Sequence, residues 1–352
     1  MRPETCSDVG INGLKVIIRV LVLVSLGAMR PQSPAGPAIA IEGERFTVNG
    51  SPRFLVFVSY FDALHANTTT WTTDLDYLRQ HVHGVRILPN WFSDYCAGGR
   101  SGTNTRSNGT LIRFDGSVNE ATLARLIEFI KAAAARSMIV DVTFTRETIL
   151  VPNGQADPMP FTNYLAAIRR IAEALIPYRN VLFDVQNEWQ NKNFSEDEMR
   201  RLVSAVHEVD RGRLTAASTL SDIAATAAGQ EARTLGFDYV AYHDHRDNGW
   251  HSRDAISTQV RDVRNGLQPE RKPVYFQEPT PWDRAPGCPG NSPGDPADGH
   301  AIAAATFAKR HGAAAWTFHT RSTFNLRSAS FVDRLSRDPN QKKALEALTQ
   351  FR

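Results

Sequence analysis

Val181-Leu182-Phe183-Asp184-Val185-Gln186-Asn187-Glu188-Trp189, followed a few residues later by Ser195-Glu196-Asp197-Glu198-Met199, contains the unit from which most of the chain is built. The first six residues are short, nearly continuous in apolar character and rich in Val, Leu and Phe, the pattern of a strand buried on both faces. Ser195 followed by Glu198 is a capping box, and Met199, Leu202, Val203 and Val206 then fall on one face of a helix. Between strand and helix stand Asn187, Glu188 and Trp189, polar and aromatic residues at the C-terminal end of a buried strand.

Outward from this unit the same order recurs about eight times. The other strand candidates are Phe54–Tyr60, Gly84–Leu88, Met138–Phe144, Leu214–Ser218, Tyr239–His243, Pro273–Gln277 and Ala313–Phe318. Leu123, Leu126, Ile127, Ile130 and Ala134 form one helical face between two of them, and Tyr164, Ile168, Ile171, Ala172 and Leu175 form another. Strands alternating with helices imply βαβ units and a parallel sheet. Eight units in roughly 250–300 residues fit an α/β (β/α)8 TIM barrel. The competitor, a doubly wound open sheet, would carry a glycine-rich turn after its first strand, and Phe54–Ala66 has no glycine. Ile41–Pro52, with Asn49-Gly50 as its turn, reads as a short N-terminal β-hairpin closing the bottom of a single catalytic domain, 41–352.

Residues 1–40 differ. Lys15 and Arg19 precede the apolar run Val20–Ala28, and a Pro/Ala/Gly-rich stretch ends in Pro37-Ala38-Ile39-Ala40, the order of a signal peptide or other export segment. The run is short for a bilayer span. The expectation is a secreted or periplasmic protein, without stable membrane insertion after processing and monomeric, whose mature chain begins near residues 30–41. With 42% hydrophobic and 22% charged residues, and Lys+Arg 40 against Asp+Glu 37, the 352-residue chain is neither disordered nor basic enough to favour nucleic acid. Three cysteines make no disulfide scaffold and no CxxC pair. In an oxidising compartment Cys96 and Cys288, both in Gly/Pro-rich loops on the same face, are candidates for a disulfide.

In such a barrel the functional side chains sit at the C-terminal ends of strands. Those positions carry Arg86, then Asn90-Trp91, after strand 2; Asn187-Glu188-Trp189 after strand 4; His243-Asp244-His245 after strand 6; Glu278 after strand 7; and Trp316 and His319 on and after strand 8. Two glutamates facing each other across a barrel mouth are the minimum equipment for acid–base and nucleophilic attack at an acetal carbon. Trp91, Trp189, Trp282 and Trp316 are candidates for stacking on sugar faces, although such rings also simply fill cores.

Phe183–Glu188 resembles the strand-4 Asn-Glu signature of clan A glycoside hydrolases, the superfamily of family 5 cellulases and mannanases. Pro273–Glu278 resembles their strand-7 nucleophile segment, Val85-Arg86-Ile87 their strand-2 arginine, and Trp316 stands where they place a tryptophan of the sugar subsite. The resemblance covers essentially all of 41–352 by element order. It implies a retaining enzyme cleaving β-glycosidic bonds of a poly- or oligosaccharide, with Glu278 as nucleophile and Glu188 as acid and then base. Asn187 would hold the sugar 2-hydroxyl, Arg86 with His243 and His245 would keep Glu278 ionised and aimed, and neither metal nor organic cofactor is implied. The sequence departs from family 5 at two places: Thr143 stands near the usual strand-3 histidine, and His243-Asp244-His245 replaces His-x-Tyr. Two other readings stay open. His243-x-His245 could belong to a metal-dependent barrel hydrolase, although the amidohydrolase pattern places that pair on strand 1 and adds histidines that Leu214–Ser218 lacks. A carbohydrate-binding barrel without catalysis would not need both glutamates. Substrate choice is expected to lie in the loops Trp91–Gly116 and Thr280–Gly299.

Overall fold

Three short strands at the start of the domain, β1 (Ile39–Glu42), β2 (Arg45–Val48) and β3 (Ser51–Arg53), make an antiparallel meander in a computed structural model that describes residues 36–91, 110–146, 148–150, 156–192, 194–244, 249–282 and 299–352. The expected hairpin is therefore a three-stranded sheet. Asn49 makes the tight turn in the left-handed region (φ 52°), and its side chain accepts from the Ala38 N–H at 2.8 Å. The Ile39 N–H donates to the Arg179 carbonyl at 3.0 Å, so Ile39 and Ala40 are built into the domain.

Eight parallel strands follow. The first three are β4 (Leu55–Ser59), β5 (Gly84–Ile87) and β6 (Ile139–Thr143). After a small hairpin, β7 (Thr148–Leu150) and β8 (Ala156–Pro158), come β9 (Val181–Asp184), β10 (Thr215–Ala216), β11 (Val240–His243), β12 (Val274–Glu278) and β13 (Ala315–Phe318). Their ladders run in the order β10-β9-β6-β5-β4-β13-β12-β11. The ring is closed by one parallel bridge, Ser218 to Ala241, with the Thr219 N–H on the Ala241 carbonyl and the Asp238 N–H on the Thr215 carbonyl. Each strand lies within the stretch its apolar run marks out, to within a residue.

A helix follows each strand: α1 (Thr68–Leu78), α2 (Glu120–Ala134), α3 (Phe161–Leu175), α4 (Glu196–Val209), α5 (Ala225–Thr234), α6 (Arg253–Leu267), α7 (His300–Arg310), and after β13 the pair α8 (Phe331–Leu335) and α9 (Pro339–Ala347). The Ser195–Glu198 capping box opens α4 as its sequence requires. Among the described residues no helix is long and apolar enough to cross a membrane.

The barrel interior is layered. At the bottom Phe57, Tyr239 and Tyr275 pack ring to ring, and Phe46 from β2 closes the floor edge-on against Tyr239 at 5.5 Å. Gly84 permits this layer: a Cβ there would lie 2.4 Å from the Ile139 carbonyl oxygen and 2.7 Å from the Phe57 ring. Above the aromatic floor the interior turns polar, with Arg86, Asp141, Thr143, Asp184, His243, Gln277 and Thr317 all fully buried.

Candidate active site

Asp184 ends β9, and four residues on the chain reaches Glu188 with a positive φ of 48°, an uncommon conformation for a residue with a side chain and a recurrent one at functional sites. The Ser218 hydroxyl holds that backbone by accepting from the Glu188 N–H at 3.1 Å. Glu278 is the last residue of β12, opposite His243 of β11 across a register shift. One carboxylate oxygen of Glu188, a ring nitrogen of His243 and one carboxylate oxygen of Glu278 all lie within 4.8 Å of one another. The side chains of Glu188 and Glu278 are 25% and 12% exposed, so both carboxyls reach solvent at the mouth.

Arg86 organises the rest. Its Nη1 donates to Glu278 Oε2 at 2.6 Å, its Nη2 to Asn187 Oδ1 at 2.7 Å, and its Nε to Thr143 Oγ1 at 3.0 Å, while Asp184 Oδ2 stands 3.8 Å from Nη2. The guanidinium also faces the Phe61 ring at 5.1 Å. Burial pulls the Arg86 pKa down, but Glu278, Asp141 and Asp184 together outweigh it and leave it raised. Desolvation raises both buried aspartates against the pull of Arg86, Asp141 to about 6.

His243 lies between the two glutamates. Its Nδ1 is 3.4 Å from Glu188 Oε1, and its Nε2 is 3.2 Å from Gln277 Oε1 and 3.7 Å from Glu278 Oε2. The next residue, Asp244, instead accepts from Gln259 of α6, so alternation along β11 turns His243 inward. His319 brings Nε2 to 3.6 Å from Glu278 Oε1. Beside it Phe61, Trp91 and Phe324 form an aromatic wall: Phe61 stacks on Phe324 at 5.2 Å, and Trp91 meets both.

Glu188, Glu278, Arg86, Asn187 and His243 thus meet as their positions in the sequence suggest, with Trp91 on the adjoining wall. The other tryptophans do not join them. Trp316 is 1% exposed in the hydrophobic core, because the inward residues of β13 are its neighbours, Thr317 bonding Tyr275 across the interior. Trp189 donates to Glu231 of α5, and Trp282 to Asp338 beside α9 while stacking on Phe318, so both serve packing of the outer layer. His245, Cys96, Cys288 and most of the two loops expected to govern substrate choice lie outside the described residues. Sequence reading noted His319 at the end of strand 8 without giving it a role, although period-two alternation from Thr317 turns it inward, and it passed over Gln277 and Ser218.

A metal centre fits these residues poorly. Glu188, His243 and Glu278 could offer three donor atoms, but the Arg86 guanidinium already contacts Glu278. The further histidine that the amidohydrolase pattern would need on strand 5 is missing from β10 (Thr215–Ala216).

The fold and the rim of polar groups define a (β/α)8 barrel of the kind found in family 5 glycoside hydrolases. Solved structures sharing this fold include a glycoside hydrolase family 5 protein from Bacteroides vulgatus ATCC 8482 (TM-score 0.60, 16% identity, 91% of this chain and 71% of that one). A family 5 mannosidase from Rhizomucor miehei also does (TM-score 0.57, 11% identity, 90% and 99%), as does a β-glucanase from Saccharophagus degradans (TM-score 0.56, 11% identity, 89% and 94%). No family sequence model matches the chain, and no curated protein matches it in sequence.

Proposed function

We propose that the protein is a retaining glycoside hydrolase acting on β-glycosidic bonds of an oligo- or polysaccharide. The observation that carries this reading is the approach of Glu188 and Glu278 oxygens within 4.8 Å across the mouth. Retaining enzymes set their carboxyls about 5–5.5 Å apart, whereas inverting ones leave roughly 6.5–9.5 Å for a water. In the first step a lone pair of Glu278 attacks the anomeric carbon as the bond to the leaving oxygen breaks, and the proton of Glu188 goes to that oxygen. In the second, water replaces Glu278 at the same carbon and gives its proton to Glu188. Arg86, hydrogen-bonded to Glu278 at 2.6 Å, favours the carboxylate and holds its direction. The Asn187 oxygen is taken by Arg86 and Ser218, so its amide NH2 is left to donate to a sugar hydroxyl next to the reacting carbon. The fold shared with a mannosidase and a β-glucanase supports gluco- or manno-configured substrates, and the charged-then-apolar order of residues 15–28 supports export.

The test is to follow the first-formed anomer by NMR on a β-linked glucan or mannan oligosaccharide. The β-anomer first is the expected result, and initial release of the α-anomer overturns the assignment of Glu278. Glu188→Ala should retain the first step on activated aryl glycosides, and added azide should restore turnover as a β-glycosyl azide.

A further inference from the structure

Asp141 sits in the middle of β6, fully buried, one layer below the two glutamates, and takes no part in the steps above. Its Oδ2 accepts from Gln277 Nε2 at 2.9 Å. The other end of that amide, Oε1, stands 3.2 Å from His243 Nε2, and the far nitrogen of the ring, Nδ1, stands 3.4 Å from Glu188 Oε1. Four groups therefore form a line from the barrel interior to its mouth, and each can be assigned as donor or acceptor.

We propose that Asp141 and Gln277 are positioning residues that fix His243 as the tautomer protonated on Nε2, so that the Nδ1 lone pair faces Glu188 and holds the proton Glu188 delivers. The proposal rests on the acid role given to Glu188 above. A carboxylate only accepts hydrogen bonds, so Asp141 forces the NH2 end of Gln277 toward itself. The amide oxygen is then the end that meets His243, and because it too only accepts, His243 Nε2 must carry a hydrogen. In a neutral imidazole the other nitrogen is an acceptor. An acceptor facing Glu188 at hydrogen-bonding distance is repelled by a carboxylate and satisfied by a carboxylic acid. The relay thus offers the proton of Glu188 an acceptor before the glycosidic oxygen is protonated. It also favours recovery of a proton from water in the second step.

The charges facing the ring come from three strands. They are Glu188 and Asp184 from β9 and its end, Glu278 from β12, and, on the far side of Glu278, Arg86 from β5. Arg86 answers the charge of Glu278 and Asp184, and the ring itself is fully buried. Facing Asp141 are Arg86, Asp184 and the hydroxyl of Tyr275. Burial brings the Asp141 carboxyl up to about 6, so it is the accepting carboxylate at pH 7 and above.

The test joins a spectroscopic and a kinetic measurement on the whole protein. In histidine-15N-labelled protein at pH 7.5, His243 should show a protonated Nε2 and an unprotonated Nδ1. Asp141→Asn gives Gln277 a donor where it had an acceptor, so its amide can turn, and the preference for Nε2–H should be lost. With an unactivated oligosaccharide, the basic limb of the kcat–pH profile should then fall by about one unit in Asp141→Asn and in Gln277→Met. With a dinitrophenyl glycoside, whose departure needs no proton, kcat/KM, which reports the first step alone, should change by less than about twofold. A wild-type His243 carrying its proton on Nδ1, or on both nitrogens, overturns the relay, as does an Asp141→Asn protein with tautomer and basic limb unmoved. A wild-type protein that hydrolyses no glycoside overturns the acid role, and the nitrogen shifts still decide the tautomer separately.

Discussion

A fully buried guanidinium must meet acceptors along each of its edges, and Arg86 does so through Glu278, Asn187 and Thr143, with Asp184 nearby. Lysine has one compact charge and cannot make these three contacts at once. Arg86→Lys should therefore lower kcat/KM at least about a hundredfold through misplacement of Glu278 and Asn187, measured on an aryl glycoside. Asp141 makes a prediction of opposite sign for stability. Its pKa is raised by burial from an ordinary 3.8 to about 6, so the folded chain holds this proton more tightly than the unfolded one. The stability it contributes is whole below about pH 4 and is lost as pH rises through 6, on the order of 3 kcal/mol for a shift of about two units. Asparagine mimics the protonated form and suffers no such loss. The Tm of Asp141→Asn relative to wild type should rise between pH 4.5 and pH 7.5, and a flat difference would contradict the argument. At this scale the candidate site was legible, because Glu188, Glu278, Arg86, Asn187 and His243 stand at strand ends and their types demand partners. The tryptophans were not legible, since size and flatness serve a core as well as a sugar. Only alternation along β13 distinguishes Trp316 in the core from His319 beside Glu278.

Elements with a continuous apolar run could be read directly, which is why all eight barrel strands were found. The third strand of the N-terminal sheet, Ser51-Pro52-Arg53, is exposed at every residue and gives no hydrophobic signal, and β7–β8 is similarly short. Closeness of approach between helices is also hidden in a sequence. Helices α5 and α6 touch backbone to backbone through Gly229 and Gly266: a Cβ on Gly229 would lie 2.0 Å from the Val263 carbonyl oxygen, and one on Gly266 the same distance from that of Thr226. No side-chain rotation relieves a clash with a carbonyl. Although alanine is normally the better helix former by about 1 kcal/mol, Gly229→Ala and Gly266→Ala should each destabilise by about 2 kcal/mol or more. Urea unfolding with both variants would check this, and a neutral result at either glycine would refute the close contact.

For the molecule as a whole, the ring of strands is unequal around its circumference. Seven junctions are ladders, and the eighth is the single Ser218–Ala241 bridge between a two-residue β10 and β11. The helices that follow those two strands are α5 and α6, the pair joined through glycines. Where the inner wall has fewest hydrogen bonds, the outer layer is drawn tightest. This makes the order in which amide protons escape to deuterated solvent a readout of the outer layer. In the native protein the amides of Thr219 and Asp238, which cross this junction, should exchange more slowly than one isolated bridge would suggest. Enlarging Gly266 should accelerate them by about tenfold or more while leaving those of β4 and β5, on the opposite side, unchanged.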